Sequence, residues 1–368
     1  MEDGVHLKNG EITFRLKATK LGEMANSSWM KRLRNDGLAE LNLLQITIPG
    51  THDSATSNIS TAQNYASNAP DILKTAQKIF KGDELKDFVC RWAIAQEKDV
   101  GKQLEDGIRY IDLRVCCVTQ GNGTNPDDPG ELFTCHSVIS DKLDDVLHAV
   151  KAFTEANSEE IIILDFNHFY KMTPAAHTSL VEKLNELFSG KMIPKDVPLQ
   201  TKLAQLWDSN YSLLIFYEEN SVVDKYPYLW PQANIYSAWM NTPELKSLKT
   251  KLTFHLATRD ALLRADFKGK SKFNYPNYAN QIHVAQGILT PDTSMIASDL
   301  FSAGKYTSLI QLGKEVTPVV TQWLTELWKD YQLNVVIVDQ YHYSDFIETI
   351  IQMNLDKLNK MRSGSESL

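Results

Sequence analysis

No stretch of the 368 residues approaches the roughly 20 consecutive apolar residues that a membrane-spanning helix requires, so no transmembrane segment is expected. The opening residues, MEDGVHLKNGEITF, have no apolar core, so no secretory leader is expected either. Basic residues are outnumbered, 38 Lys and Arg against 46 Asp and Glu, for a formal net charge of -8. That balance argues against a general nucleic-acid binder, whose phosphate contacts need a basic face, but leaves room for a local basic patch. Cysteine is scarce. None of Cys90, Cys116, Cys117 and Cys135 has metal-ligand spacing, and the adjacent pair lies in a run that reads as a strand, where neighbours face opposite ways. Free, buried thiols are the expectation, which fits a reducing, cytoplasmic setting.

What is present is the composition of a globular enzyme-sized domain, with 43% hydrophobic and 23% charged residues. Short apolar runs alternate with amphipathic stretches, as in βα units around a parallel sheet. Strands are expected at 43–48, 108–118, 132–135, 161–166, 211–217, 282–285 and 335–338. Thr173 followed by Pro174 marks a helix start, with Gly190 at its far end, and Thr317 with Pro318 repeats the start signal. Asp345 and Glu348 have capping-box spacing before a last helix over 346–355. The fold class implied is α/β: a single-domain, irregular or imperfect (β/α)8 barrel over 25–355, with an N-terminal arm (1–24) and a flexible tail (356–368). The Pro-, Tyr- and Asn-rich stretch 226–280 marks the imperfect side.

Catalytic groups of such barrels sit at the C-terminal strand ends. Those ends read His52-Asp53, Asp112 and Arg114, His136-Ser137, Asp165 with Asn167 and His168, and Asp339. Two imidazoles, a guanidinium and several carboxylates suit phosphodiester cleavage by an internal hydroxyl: one imidazole takes a proton, the other gives one, and a cation holds the phosphoryl oxygens.

The stretches IPGTHDS (48–54), GIRYIDLR (107–114), the histidine that follows them and EEIIILDFNHFY (159–170) closely resemble the X domain of phosphatidylinositol-specific phospholipases C. LLIFYEE, KYPYLWP, the Trp239-Met240-Asn241 segment and VAQGILTP extend the likeness to eukaryotic proteins made of the X domain alone, over roughly 25–355. The resemblance implies His52 as general base on the inositol 2-hydroxyl, oriented by Asp339. It implies His136 as general acid with Asp53 as its carboxylate partner, and Arg114 on the phosphate. Asp112, Asp165, Asn167, Tyr217 and Trp239 become candidate substrate contacts. The implied substrate is phosphatidylinositol in a membrane surface, met transiently; protein partners are not identified.

Calcium-dependent animal relatives carry two acidic residues where this chain has Asp112 and Arg114, as the metal-free bacterial enzymes do. No metal or other cofactor is therefore expected, with calcium as the lesser alternative, since Asp112, Asp165 and Asn167 offer oxygen ligands. Two departures stand out: Ser137 replaces the glycine usual after the acid histidine, and the run 215–219 lacks the bacterial arginine for inositol hydroxyls. Two other readings are a non-catalytic inositide-binding or scaffold protein retaining the barrel, and a metal-dependent barrel phosphodiesterase. A last expectation is an interfacial loop in which Lys268, Lys270 and Lys272 precede Phe273, Tyr275 and Tyr278.

Overall fold

The computed structural model describes residues 26–66, 82–119, 125, 127–264, 280–300 and 306–364. The candidate interfacial lysines at 268–272 lie outside the described residues. Runs such as Leu213–Tyr217 and Val335–Val338 are buried at every position, as parallel strands covered on both faces must be. The strands are β1 (Ile48–Thr51), β2 (Tyr110–Val118), β3 (Glu131–His136), β4 (Val138–Lys142), β5 (Ile162–Tyr170), β6 (Leu213–Tyr217), β7 (Leu229–Pro231), β8 (Ile235–Ala238), β9 (Ile282–Gln286) and β10 (Val335–Val338). The main helices are α1 (Asp83–Arg91), α2 (Val100–Asp106), α3 (Leu143–Ala156), α4 (Pro174–Phe188), α5 (Leu245–Arg264), α6 (Leu309–Glu326) and α7 (Phe346–Arg362).

The sheet runs β7-β6-β5-β2-β1-β10-β9-β8, with every neighbour in that path parallel. Among the described residues β7 and β8 do not pair, so the eight-stranded barrel is nearly closed, with its seam on the side where the sequence loses regularity. Gly50 lets the strands beside β1 approach closely: a Cβ there would lie 2.8 Å from Tyr110 Cβ and 2.9 Å from Ile337 Cγ2. No described helix is long and apolar enough to cross a membrane, and all four cysteines are free and buried.

Several sequence expectations are corrected. The apolar run 43–48 is mostly a buried turn, and the strand begins only at Ile48; Asn334 Nδ2 donates to the Leu43 and Ile46 carbonyls, satisfying that turn without a ladder. The run at 132–135 is not a barrel strand. It forms β3, antiparallel to both β2 and β4, a hairpin outside the parallel path.

The stretch 226–280 holds β7, β8 and the 20-residue α5, whose Leu248, Leu252 and Leu256 form a narrow buried stripe. Pro318 lies inside α6, whose N-cap is Ser308, and Thr317 Oγ1 instead donates to the Asp339 carbonyl. Asp345 makes no side-chain cap bond, and Glu348, instead of closing the capping box, accepts from Asn26 Nδ2 at 2.7 Å. The last helix runs past 355 to Arg362, where Leu358 is buried and Arg362 donates to the Asn35 carbonyl. Thr173 does cap α4, accepting from the Ala176 N–H, with Pro174 in its first turn.

Candidate active site

The C-terminal strand ends open into a cavity of about 830 Å³. His52 follows the last β1–β10 pairing, Thr51 with Val338, and its N–H still donates to the Val338 carbonyl at 3.2 Å. The residue that follows β10 is Asp339, so the two chains deliver His52 Nδ1 to 3.0 Å from Asp339 Oδ1. A carboxylate oxygen only accepts, so Nδ1 carries the hydrogen and Nε2 is left for chemistry.

Asp53 turns back beneath the cavity in a left-handed conformation (φ 42°), which Asp tolerates better than most residues. Its N–H donates to Asp112 Oδ2 at 3.0 Å. Its carboxylate is buried at the centre of the site: Oδ1 is 2.5 Å from Arg114 Nε, and Oδ2 is 3.3 Å from His52 Nε2 and 3.5 Å from His136 Nε2. The Arg114–Asp53 contact is close but not aligned as a hydrogen bond, so it acts as an ion pair.

His136 arrives by a different route. Its strand β3 runs back along β2, with Val115 paired to Thr134, and so returns His136 to the barrel mouth. The ring is fixed by the Ala93 carbonyl, 2.8 Å from Nδ1, which again places the hydrogen on Nδ1 and leaves Nε2 facing the cavity. The two imidazole centroids are 6.4 Å apart, at 76° to one another. Ser137 adopts φ 62°, so the chain takes the left-handed conformation at this position with serine in place of glycine.

Burial raises the cost of an ionised Asp53, yet Arg114 and the two imidazoles overcome it and hold the carboxyl down to about 2. Burial opposes charge on His52, but the Asp53 and Asp339 carboxylates outweigh it and push the imidazole up to about 9. For His136 burial prevails over Asp53, and the imidazole falls below its ordinary 6.5. His52 Nε2 faces both Asp53 and Arg114 Nη2, the latter at 3.2 Å. The protonated ring therefore has an acceptor waiting and the neutral ring a donor.

Along β5, Asp165 accepts from Tyr110 Oη and, at 2.6 Å, from Gln232 Nε2, while Asn167 Nδ2 donates to Asp112 Oδ1. Burial and the neighbouring Asp112 push the Asp165 carboxyl up to about 6. Asp112, Asp165 and Asn167 line the cavity, as do His168 and Glu218, 3.5 Å apart at its rim. Trp239 also lines it, 58% exposed, with Nε1 donating to Thr290 Oγ1 at 2.7 Å. Val89, Trp92, Ile288, Leu289 and Leu309 form an apolar wall.

Tyr217 is not brought to the cavity. It is fully buried, its Oη 2.7 Å from His177 Nδ1 and its ring 4.5 Å from that of Phe169. The sequence reading did not single out Gln232, Tyr110, Trp92 or the Ala93 carbonyl. Tyr110 stands inside the GIRYIDLR stretch at the start of β2, whereas no motif marks Gln232, Trp92 or Ala93.

His52, Asp53 and Asp112 offer ligand atoms within 4.8 Å of one another, enough to hold a cation. The donor set fits one poorly. Asp53 already faces a guanidinium at 2.5 Å, and both Asp112 oxygens accept from protein N–H groups.

No family model matches the chain. Among solved structures, it resembles the phosphatidylinositol-specific phospholipase C of Listeria monocytogenes, with TM-score 0.57, 18% identity and coverage of 90% of this chain and 99% of that one. A mutant form of the Staphylococcus aureus enzyme gives TM-score 0.58 at 15% identity, covering 90% and 97%. The fold is therefore the barrel of the phosphatidylinositol-specific phospholipases C.

Sequence relatives are nearer. Mouse PI-PLC X domain-containing protein 2 is 30% identical over 334 residues, 90% of this chain and 88% of its own. Human PI-PLC X domain-containing protein 3 is 29% identical over 334 residues, covering 90% and 94%. The variant-surface-glycoprotein phospholipase C of Trypanosoma cruzi is 31% identical over 319 residues, covering 82% and 77%. The chain belongs to the PI-PLC X domain-containing family.

Proposed function

We propose that the chain is an active phospholipase C that cleaves phosphatidylinositol at a membrane surface, without a metal, into diacylglycerol and inositol 1,2-cyclic phosphate. The observation that carries this reading is the pair of Nε2 atoms, on His52 and His136, facing one cavity across a shared Asp53 carboxylate. In the proposed step the inositol 2-hydroxyl oxygen bonds to phosphorus while His52 Nε2 takes its proton. The bond from phosphorus to the glycerol oxygen breaks, and His136 Nε2 supplies the proton that oxygen needs. Asp339 stabilises the imidazolium that forms on His52. Arg114 neutralises the phosphoryl oxygens, supplying from a side chain the charge that calcium supplies elsewhere. The hydroxyl is tethered to the phosphate it attacks, so no water need be activated for this step.

The two walls of the cavity fit the two halves of the substrate. Asp112, Asp165, Asn167 and Gln232 offer polar groups for ring hydroxyls, while Trp92, Leu289 and Leu309 offer an apolar flank for the glycerol and acyl portion. Incubation of the full chain with radiolabelled phosphatidylinositol vesicles, with and without a chelator, tests the reading. Release of water-soluble inositol phosphate in both conditions is expected. His52→Ala and His136→Ala should each reduce it by about 10²–10⁴ while the protein stays folded. Near wild-type turnover in either variant would overturn the assignment, and binding without turnover by the wild type would favour a scaffold.

A further inference from the structure

We infer that Gln96, which no motif marks, is a positioning residue that holds the base His52 against Asp339. The inference rests on the reading of His52 and His136 as the acid–base pair. Gln96 lies in the segment between α1 and α2, outside every strand, and is fully buried. Its amide is used completely. Nε2 donates to the His52 carbonyl at 3.0 Å and to the Val338 carbonyl at 2.9 Å, and Oε1 accepts from the Gln340 N–H at 3.1 Å.

These three groups flank the two residues whose side chains must meet. The β1–β10 ladder ends where His52 N–H reaches the Val338 carbonyl. Past that point the chains diverge into loops, and Gln340 stands in a left-handed conformation, φ 51°. One side-chain amide there bridges the His52 main chain to the residues before and after Asp339. The 3.0 Å Nδ1–Oδ1 contact is thereby set by backbone held from a third segment.

The same segment also reaches the other imidazole. The Ala93 carbonyl accepts from His136 Nδ1 at 2.8 Å. The Ala95 and Gln96 N–H groups donate to Thr56 Oγ1 at 3.1 and 3.0 Å, anchoring the segment to the chain that follows His52. The segment continues from Val89 and Trp92 on the apolar wall of the cavity. Four consecutive residues, 93–96, thus fix the geometry of both histidines without touching the reacting atoms. Misplacement of a catalytic group by about 1 Å costs about 10² in rate, so the loss of this bridge is measurable.

The test is Gln96→Met, which keeps volume but removes both donors and the acceptor, beside Gln96→Glu, which keeps an acceptor and, when protonated, one donor. Asn354→Ala is the control: Asn354 is likewise buried, donating to the Thr47 and Ile350 carbonyls at 2.7 and 3.1 Å and accepting from the Thr47 N–H at 2.9 Å, but reaches neither histidine nor a residue beside one. Side-chain spectra of ¹⁵N-histidine-labelled protein follow the His52 ring through its titration, alongside kcat and KM on a soluble short-chain phosphatidylinositol. In Gln96→Met the expected results are a His52 titration displaced downward, an Nδ1 proton that exchanges faster, and kcat lower by about 10–10² with KM within about twofold. Gln96→Glu should fall between Met and wild type, and Asn354→Ala should lose stability without moving the His52 titration.

A folded Gln96→Met or Gln96→Glu variant with the wild-type His52 titration and kcat overturns the proposal. So does an Asn354→Ala variant that displaces the titration equally, since the effect would then be general loosening. If wild type fails to cleave phosphatidylinositol, the functional reading falls, while the imidazole titration still decides the role of Gln96.

Discussion

Asp339→Asn is the perturbation that most directly probes the electrostatics of the site. In the resting protein the proton sits on His52, pushed up to about 9, rather than on His136, which lies below 6.5. Cleavage needs the reverse, a neutral His52 and a charged His136. With a value of about 9, only about one molecule in a hundred has a neutral His52 at pH 7. The active species is a minor arrangement of the singly protonated pair, so kcat/KM should still be bell-shaped. Its acid limb should lie below 6.5 and its alkaline limb near 9.

The rise from 6.5 to about 9 represents about 3 kcal/mol favouring the charged ring, supplied by Asp53 and Asp339 against burial. If Asp339 provides about half, its neutralisation brings the alkaline limb down by about one pH unit. The plateau should fall by about 10², because the ring loses its partner in the imidazolium state. For stability the sign is fixed by a raised value: the contribution is complete below 6.5, is lost as pH rises through about 9, and should be about halved in the variant. Rate profiles on a soluble substrate between pH 5 and 10, with urea unfolding of both proteins across the same range, make the comparison. An alkaline limb unmoved in Asp339→Asn, or a wild type that gains stability over variant between pH 6.5 and 9, would refute the reasoning.

Arg114→Lys should lose most activity although the charge is kept, because an ammonium cannot reproduce the guanidinium's contacts to Asp53 Oδ1 and His52 Nε2; recovery of full rate on adding calcium to Arg114→Ala would show that the site is built for a metal. Gly313→Ala, although about 1 kcal/mol better in a helix, would set a Cβ 2.8 Å from Gln340 Cγ and 3.1 Å from Asp339 Cβ, so calorimetry should show a lower Tm and assays a lower kcat. Among the described residues Arg114 is the one lysine or arginine lining the cavity, beside three histidines, against Asp112, Asp165, Glu218 and Asp339. Phosphatidylinositol should therefore be cleaved at least about tenfold faster than its 4,5-bisphosphate, a difference of about 1.4 kcal/mol, and equal rates on mixed micelles would contradict this.

Strand existence was readable where side chains are apolar on both faces, as at 213–217 and 335–338, because burial of both faces leaves no polar alternation. It failed where the same signal has two causes. The run 43–48 is as apolar as a strand, yet its Leu43 and Ile46 carbonyls are satisfied by Asn334, 291 and 288 residues away. Strand orientation carried no signal, so β3 read like any barrel strand. The expectation that His136 ends a parallel strand was wrong even though it reaches the same cavity. Strands β7 and β8 are too short to show a period, and the stripe of α5 was hidden among lysines.

The candidate site divides along the same line. Side chains that carry charge chemistry, His52, Asp53, Arg114, His136 and Asp339, stand in motifs or at strand ends, and the fold gathers His52, Arg114 and His136 around the Asp53 carboxylate, with Asp339 behind His52. Those that hold them do so through amides and main-chain carbonyls, whose partners are set by tertiary contact and leave no spacing to read. Gln96 and Ala93 belong to a segment without periodicity, while Tyr217, which stood beside polar residues at a strand end, points into the core. A strand end offers alternate residues to opposite faces, so a polar neighbourhood in sequence marks the end and not the direction. Direction is decided by the segment each side chain meets, here His177 of α4 for Tyr217 and the Ala93 carbonyl for His136.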